Sequence, residues 1–393
     1  MDSPRGRLHL MRALDEGRID PTEPVVRHLD LCLGCRACET ECPSAVPFGA
    51  RLEAARERLR ESDLRPVTVR LMESLMLQGV AAPAAVQRAG VAALSMMRRA
   101  GLMRLAMSRM GETVLPSVLV AGARLVETMA PRGFPRALAR MTPARGGRRL
   151  RVGFLEGCVN RWMFAQVNEA TVRLLSGAGC EVVVPEGQAC CGALHAHSGD
   201  RKGARGLARA NIEAFEAAGP FDAIVVNAAG CGSTMKDYGR LLDGPEGAEF
   251  SGKVRDALEL LAEIGAPPAV RDVNARVAYQ DACHLAHAQK IRSQPRDLLA
   301  RVPGLSLVPL SDSDRCCGSA GIYNLLHPEV SQAILEPKLR RLRDSGADVA
   351  AAANPGCLLQ LASGVRAAGL PLRVVHPLEL LDEASRPETA PAR

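Results

Sequence analysis

The sequence predicts a mixed α/β protein in which a helical N-terminal domain precedes two duplicated parallel-sheet modules. The first observation behind this prediction is a repeated cysteine pattern: a lone cysteine, a Cys-Cys-Gly triplet and a further cysteine occur at Cys158, Cys190-Cys191-Gly192 and Cys231, and again at Cys283, Cys316-Cys317-Gly318 and Cys357. The lone cysteine precedes the pair by 32 residues in the first copy and by 33 in the second, and the last cysteine follows the pair by 40 in both. Repetition at an offset of about 125 residues indicates an internal duplication.

The second observation is an alternation of strand and helix patterns within the repeated part. Strands are predicted at Leu150–Leu155, Glu181–Val184 and Ala223–Val226 in the first module, and at Arg276–Tyr279, Leu305–Val308, Ala347–Ala351 and Leu372–Val375 in the second. Helices such as Arg201–Ala217 and Pro328–Asp344 fall between them. This alternation is typical of parallel sheets that carry helices on both faces. The third observation is a helical pattern from Arg51 to about Met141, ahead of the repeat.

Length and composition divide the chain further. A chain of 393 residues is long enough for two or three domains. We expect a ferredoxin-type domain at residues 1–65, around the closely spaced Cys32, Cys35, Cys38 and Cys42. A basic Met-rich helical segment at 66–149, which ends in a linker from Met141 to Arg149, and the two modules at 150–270 and 271–393 would follow. The longest uncharged stretch, Val349–Val365, has 17 residues and is interrupted by Asn354-Pro355-Gly356, so no membrane-spanning helix is predicted.

The cysteine content points to metal or redox chemistry. The first residues contain no apolar signal-peptide region, which predicts a location in the reducing cytoplasm. Disulfides are rare in that compartment, so the 13 cysteines, clustered at fixed spacings, favour metal ligation over disulfide bonds.

The charge is concentrated in the N-terminal part. Residues 1–150 contain 24 Arg, no Lys and 15 acidic side chains, a balance of +9, which leaves −2 for the remainder of a chain whose net charge is +7. Nine of the 13 Met lie between Met72 and Met141. Such a basic Met-rich segment suits either a solvated Arg face over an ordinary helical core or a contact with a membrane surface or a partner protein. No nucleic-acid partner is expected.

A compact cysteine motif lies near the N-terminus. Its members, spaced Cys-x2-Cys-x2-Cys-x3-Cys and followed by Pro43, are Cys32, Cys35, Cys38 and Cys42. This is the bacterial ferredoxin spacing for a [4Fe-4S] cluster, whereas a zinc knuckle usually has two Cys-x2-Cys pairs separated by a longer loop. We therefore predict that these four cysteines bind a [4Fe-4S] cluster.

The repeated cysteines each follow a predicted strand. Because the carboxyl ends of parallel strands meet at one rim, close to helix N-termini that favour thiolates, we expect these thiols to converge. The predicted metal ligands, for further [4Fe-4S] clusters or for zinc, are Cys158, Cys190, Cys191, Cys231, Cys283, Cys316, Cys317 and Cys357. Gly192 and Gly318 would let the backbone approach the metal, and Cys180 is expected to be a buried apolar residue. Four histidines beside these cysteines are either proton carriers or polar residues at a loop rim: His195, His197, His284 and His287.

These motifs resemble those of the iron-sulfur subunit of bacterial glycolate oxidase, within the wider group that carries tandem CCG (cysteine-rich) domains. That group includes heterodisulfide reductase and the anaerobic glycerol-3-phosphate dehydrogenase C subunit. The resemblance covers nearly the whole chain, and besides the cysteine motifs it is carried by Asp2–Leu8, Ser44–Gly49, Leu155–Cys158, Gly230–Gly232, Tyr238-Gly239, His287–Lys290 and Cys316–Tyr323.

The resemblance implies an electron-transfer subunit. A FAD-containing partner would oxidise a 2-hydroxy acid, glycolate first and D-lactate second, and this chain would pass the electrons to a quinone or another acceptor. The expected location is the cytoplasm, and the basic segment would allow peripheral contact with the inner face of the cytoplasmic membrane. The sequence has no G-x-G-x-x-G that opens a helix after a strand, so the flavin is expected in the partner and no catalytic residue is assigned here.

The sequence departs from the family pattern at two places. The family usually has two ferredoxin motifs, and Asp2–Leu8 resembles the segment between them. Either the start is truncated, or this variant has one such cluster and Cys42 ligates that cluster or has no ligand role. The second departure is that Thr234 and Gln360 replace the cysteine that ends a Cys-x2-Cys in heterodisulfide reductase relatives, so four thiolates per module are expected rather than five.

Two alternatives remain for the modules. They could act as a catalytic disulfide or quinone reductase of the heterodisulfide reductase type. They could instead bind zinc or no metal and serve as a scaffold for the complex.

Overall fold

The N-terminal part of the protein is a small helical domain built around the cysteine motif. The computed structural model describes residues 1–60, 62, 64–128 and 137–387. The helices of this domain are α1 (Pro4–Asp15), α2 (Glu23–Asp30), α3 (Ala37–Thr40) and α4 (Phe48–Arg60). Leu14, Leu29 and Leu52 bury the apolar faces of α1, α2 and α4 in one core. The short α3 lies inside the cysteine motif and ends at Thr40, ahead of Pro43.

The basic Met-rich segment forms a layer of helices. These are α5 (Val67–Ala81), α6 (Ala84–Arg99), α7 (Leu102–Ala106), α8 (Arg109–Val114) and α9 (Ser117–Thr128). The helical prediction is therefore confirmed up to Thr128, while residues 129–136 lie outside the described part of the chain. Arg366 of the second module donates to the Glu127 carbonyl oxygen at 2.9 Å, which holds α9 against that module.

The first module is a mostly parallel sheet covered by helices. Its elements are β1 (Met141–Thr142), β2 (Leu150–Phe154), α10 (Asn160–Met163), α11 (Ala165–Gly177), β3 (Cys180–Val183), α12 (Ala193–His197), α13 (Arg201–Ala218), β4 (Ala223–Val226), α14 (Ala229–Lys236), α15 (Tyr238–Leu242), α16 (Pro245–Lys253), β5 (Val254–Asp256) and α17 (Ala257–Ile264). The strand order is β1-β3-β2-β4-β5. All neighbouring strands are parallel except β1, which runs antiparallel to β3.

Two strands of this sheet differ from the sequence prediction. Met141 and Thr142 were expected in a linker, yet they pair with Val183 and Val182 at the sheet edge. The strand Val254–Asp256 was not predicted at all. Both strands are too short to show a strand periodicity, and their pairing depends on neighbours that are distant in sequence.

The second module repeats the arrangement of the first. Its elements are β6 (Ala275–Gln280), a single-turn π-helix (His284–Ala288), α18 (Gln294–Leu299), β7 (Leu305–Val308), α19 (Tyr323–Leu326), α20 (Pro328–Asp344), β8 (Val349–Ala352), α21 (Pro355–Ala367), β9 (Arg373–Val375) and α22 (Pro377–Ser385). The strand order is β7-β6-β8-β9 and all pairs are parallel. The order β3-β2-β4 of the first module matches β7-β6-β8 here, as duplication predicts.

The sheet of the first module is buried on both faces. Along β4, Val225 belongs to one apolar core, and Ile224 and Val226 belong to another. Because successive side chains of a strand point to opposite faces, helices must cover both sides of the sheet. This confirms the predicted architecture.

The two modules pack on each other through α11 and α22. Arg173 on α11 donates from Nε and Nη2 to the two carboxylate oxygens of Asp382 on α22, each at 2.8 Å. The Asp382 side chain is only 3% exposed. Val167 and Leu381, one from each module, share the same apolar core.

We expect Arg173→Ala to lower the free energy of unfolding by about 2 kcal/mol, because it removes a bidentate partner from a buried carboxylate. Chemical unfolding followed by circular dichroism measures this. The control is Arg340→Ala, which breaks an exposed pair with Glu336 and should cost less than about 1 kcal/mol. Equal losses in the two variants would contradict the role given to the inter-module pair.

Candidate iron-sulfur site

The ferredoxin-type loop is held in a fixed shape around its cysteines. Gly34 and Arg36 adopt left-handed conformations, with φ of 62° at both, which turns the chain between Cys32 and α3. Glu39 accepts a hydrogen bond from the Gly49 amide at 2.7 Å and from Arg36 Nε at 2.9 Å. The loop is thereby tied to the start of α4.

Arg56 of α4 joins this loop to the first module. Its Nη2 donates to the carbonyl oxygens of Leu29 at 3.0 Å and Cys32 at 2.6 Å. Its Nη1 donates to the carbonyl oxygen of His197 at 2.8 Å. A buried arginine that satisfies carbonyls on both sides fixes the distance between the loop and the first module.

The same loop contacts the second module next to Cys283. The Nε2 atom of His284 donates to the carbonyl oxygen of Gly34 at 3.1 Å. Thr40 and His287 are hydrogen-bonded through Oγ1 and Nδ1 at 3.0 Å. Burial raises the pKa of the Cys35 thiol to about 11, and the nearby Cys283 contributes to that rise. The Cys35 and Cys283 thiols are therefore close enough to interact electrostatically across the domain boundary.

In the first module the predicted ligands meet as two pairs. The Sγ atoms of Cys158 and Cys190 are 3.4 Å apart, and those of Cys191 and Cys231 are 3.2 Å apart. These cysteines follow β2, β3 and β4, at the carboxyl ends of the strands, where they were predicted. Tyr238 supports the central pair by donating to the Cys191 carbonyl oxygen at 2.9 Å.

The second module has the same arrangement. The Sγ atoms of Cys317 and Cys357 are 3.2 Å apart, and the thiols of Cys283 and Cys316 are hydrogen-bonded. Gly318 has a φ of 90°, and a Cβ there would lie 2.7 Å from the Ser331 carbonyl oxygen, so glycine is required at this turn.

The cysteine loops of the two modules touch each other. The Gly230 amide, directly before Cys231, donates to Asn354 Oδ1 at 3.1 Å. The Nδ2 atom of the same Asn354 lies 3.9 Å from Cys357 Sγ. The Ala229 amide also donates to the Ala353 carbonyl oxygen at 3.1 Å. The carboxyl-terminal edges of the two sheets therefore face one another, and Asn354 contacts the cysteine loops of both.

All eight module cysteines and Cys32 line one cavity of about 1260 Å³. The cavity lies between the two strand rims, and Met76, Val91 and Val126 of the basic segment close it on another side. Within the described ranges, no three His, Cys, Asp or Glu side chains converge as a single metal ion would require; the thiols meet in pairs. Soft thiolate donors around a roomy, mostly apolar cavity fit iron-sulfur clusters. The ligand assignments themselves stay predictions.

The thiols of the first module hold protons unequally. Hydrogen bonding to Cys190 raises the pKa of Cys158, and burial adds to the rise. The pKa of Cys190 is lowered because its neighbours donate to it. Metal ligation needs thiolates, so binding of iron at this site must release protons.

The histidines beside the cysteines take part in contacts around the cysteine loops. His195 and His287 are buried, and His284 packs against the ferredoxin-type loop. Burial lowers the pKa of His284 to about 3, so its imidazole is neutral at physiological pH and serves as a fixed donor to Gly34. Glu53 is hydrogen-bonded to His197 at 2.8 Å. Burial is the largest single effect on the Glu53 carboxyl and acts to raise its pKa, but the hydrogen bond to His197 and the charges of neighbouring basic groups together outweigh it, so the pKa is lowered.

Sequence reasoning missed the residues that connect the cysteine loops. In the sequence, Asn354 only interrupts an uncharged stretch, and Arg56 is one arginine among many. Lys338 does carry a signal: it follows Leu335 by three residues and precedes Leu342 by four, which places a charge on the buried face of α20. Cys180 is buried in β3, as expected.

The chain matches one domain family and several known iron-sulfur proteins. The CCG family, described as a cysteine-rich domain, matches residues 152–236 and 277–362. The chain is 38% identical to the probable glycolate oxidase iron-sulfur subunit of Bacillus subtilis, over 99% of this chain and 89% of the relative. It is 32% identical to the glycolate oxidase iron-sulfur subunit of Escherichia coli over the same shares.

A further relative matches only part of the chain. It is one of the subunits of the fumarate reductase (CoM/CoB) of Methanothermobacter marburgensis, and it is 34% identical over 60% of this chain and 46% of its own length. The two relatives from Bacillus and Escherichia, in contrast, match from the N-terminal cysteine motif through both modules. The chain belongs to the family of glycolate oxidase iron-sulfur subunits.

Proposed function

We propose that this chain is the electron-transfer subunit of a glycolate oxidase complex, an oxidoreductase in which a FAD-containing partner oxidises the hydroxy acid. The chain would receive electrons from that partner and pass them to a quinone or another acceptor. Cys32, Cys35, Cys38 and Cys42 would hold a [4Fe-4S] cluster, and the module cysteines would hold further clusters. Such clusters, when bound, accept and release single electrons with little movement of their ligands.

The observation that carries this proposal is that three cysteine sets adjoin one another: the N-terminal motif from Cys32 to Cys42, the four cysteines of the first module and the four of the second. His284 links the ferredoxin-type loop to the second module at 3.1 Å, and Asn354 links the second module to the first. Burial and, after it, the nearby Cys283 raise the pKa of the Cys35 thiol. An electron-transfer chain needs centres separated by short stretches of protein, and these contacts supply them. A scaffold would not need the three sets to line or adjoin one cavity.

We include contact with the inner face of the cytoplasmic membrane in the proposal. The basic segment exposes a series of large apolar side chains: Val67, Leu71, Leu75, Val86, Met96, Met97, Leu102, Leu105, Met110, Val114 and Leu119. Within the described residues, each helix by itself is too short or too polar to cross a bilayer, whereas α5 and α6 together, bent by 119°, have the length and apolar character to do so. Arginines on the same segment suit anionic headgroups.

We predict that Cys35→Ser abolishes glycolate-dependent reduction of the acceptor, lowering the rate at least about 100-fold, because it interrupts the chain of centres beside Cys283. Reduction of the partner's flavin by glycolate, followed by absorbance in the intact complex, should stay at the native rate. Gel filtration should show that the complex still assembles.

The matched control for that variant is Cys180→Ala, which changes a buried strand cysteine that does not line the cavity. It should turn over at the native rate. Native turnover in Cys35→Ser would rule out the relay role of this cluster. Loss of flavin reduction together with acceptor reduction would indicate a structural role instead.

We also predict that the complex binds vesicles containing phosphatidylglycerol, and that binding weakens as salt rises from about 50 to about 500 mM because arginine contacts are screened. The paired variant Leu71→Glu and Leu75→Glu should reduce binding at every salt concentration, since it places carboxylates on the exposed apolar face of α5. Cosedimentation measures the bound fraction.

Val270→Glu is the control for the vesicle experiment, because Val270 is 58% exposed but belongs to the stretch of chain that joins the two modules, where its amide donates to the Ala384 carbonyl oxygen, and not to the basic segment. It should bind as the native complex does. Cosedimentation that is independent of salt and equal in all variants would show that the basic segment does not contact lipid.

A further inference from the structure

The two modules have the same fold but differ in charge on the helix that packs against each cysteine pair, α13 in the first module and α20 in the second. In the first module Gly192 packs against Ala204, and in the second Gly318 packs against Ser331. These contacts align α13 with α20. Seven residues further along each helix, the first module has Asn211 and the second has Lys338.

Lys338 is a buried cation, 2% exposed, on the side of α20 that faces the cysteine loop. Its Nζ donates to the carbonyl oxygen of Asp312 at 2.9 Å and to Gln280 Oε1. The Nε2 of Gln280 in turn donates at 3.0 Å to the carbonyl oxygen of Arg315, the residue that precedes Cys316. Ser331, on the same helix, donates to the Gly318 carbonyl oxygen at 2.8 Å. Helix α20 therefore holds the loop of the cysteine pair through Ser331 and Lys338, and Lys338 places a positive charge near that loop.

The corresponding position in the first module is neutral. Asn211 is 0% exposed, and its Nδ2 donates to the Cys190 carbonyl oxygen at 3.0 Å. Its Oδ1 accepts from the Ala189 amide at 2.9 Å. Asn211 thus braces the cysteine pair of the first module as α20 does in the second, but without a charge.

We propose that Lys338 raises the reduction potential of the centre held by Cys283, Cys316, Cys317 and Cys357, relative to a neutral residue at this position. Reduction adds one electron to a centre that already carries thiolate charge, while the donor, another iron-sulfur centre of the same chain, loses one electron. No bond forms or breaks. A buried cation nearby stabilises the reduced form more than the oxidised form.

The electrostatics of the site support this inference. Burial lowers the pKa of Lys338, and attraction from Cys317, Cys357 and Cys316 opposes that shift. The lysine and the thiolates therefore interact through the low-dielectric interior. Asp312, on the solvent side, pairs with Arg341 and so is partly neutralised. The inference rests on the proposed function, because it requires a redox centre in the second module.

The test is a redox titration of the intact complex followed by EPR, with Lys338→Gln, Lys338→Met and Lys338→Arg. The module-two signal is identified as the one lost in Cys317→Ser. Both neutral variants should shift its midpoint to lower potential, the arginine variant should stay near the native value, and the other signals should not move. Arg340→Gln, which removes an exposed cation from the same helix, should change nothing.

Three results would overturn the inference: a native midpoint in both neutral variants, equal shifts in the arginine and neutral variants, or loss of module-two iron in the neutral variants, because Lys338 would then serve to hold the centre rather than to set its potential. If Cys317→Ser removed no signal and no iron from the native complex, the proposed function itself would fail.

Discussion

The burial of many thiolate ligands in one low-dielectric space is the constraint on which this structure depends. A single unpaired buried charge is costly, and eight module cysteines line the same cavity. The fold meets the cost by placing the cysteines at strand ends beside helix N-termini, where backbone amides point toward them. Because the module is duplicated, this arrangement occurs twice, and the strand ends of the two sheets face each other. Hydrogen bonds between thiols and burial nevertheless raise the pKa of Cys158 and Cys283, and burial raises the pKa of Cys35, so metal binding must displace protons from these thiols.

The contacts between domains follow from the same arrangement. The ferredoxin-type loop is too short to bury its own cysteines, so both modules pack against it and help to bury them. Arg56 holds it to the first module and His284 to the second. His284 can do this as a neutral donor because its burial keeps the ring unprotonated. The three cysteine sets thereby become one connected region rather than three separate sites, which is the property an electron-transfer subunit requires.

Much of the fold could be predicted because it depends on patterns between residues that are close in sequence. Strand and helix alternation located Ala223–Val226 and Pro328–Asp344 correctly, and the cysteine spacing revealed the duplication. The short edge strands Met141–Thr142 and Val254–Asp256 were missed because their residues extend only where a distant strand pairs with them. For the site, residue types and spacing predicted that the module cysteines meet at the strand ends, as they do in pairs. They could not predict Asn354 as the link between rims, since that contact joins residues 124 apart in the chain.

We propose that three cysteine sets, and not only the N-terminal motif, hold iron. Anaerobic iron and acid-labile sulfide analysis of the purified complex, counted per copy of this chain after subtraction of the partner's content, is the decisive measurement. We expect about twelve irons with matching sulfide, four for each set of four thiolates. About four irons, with zinc or no metal in the modules, would contradict it.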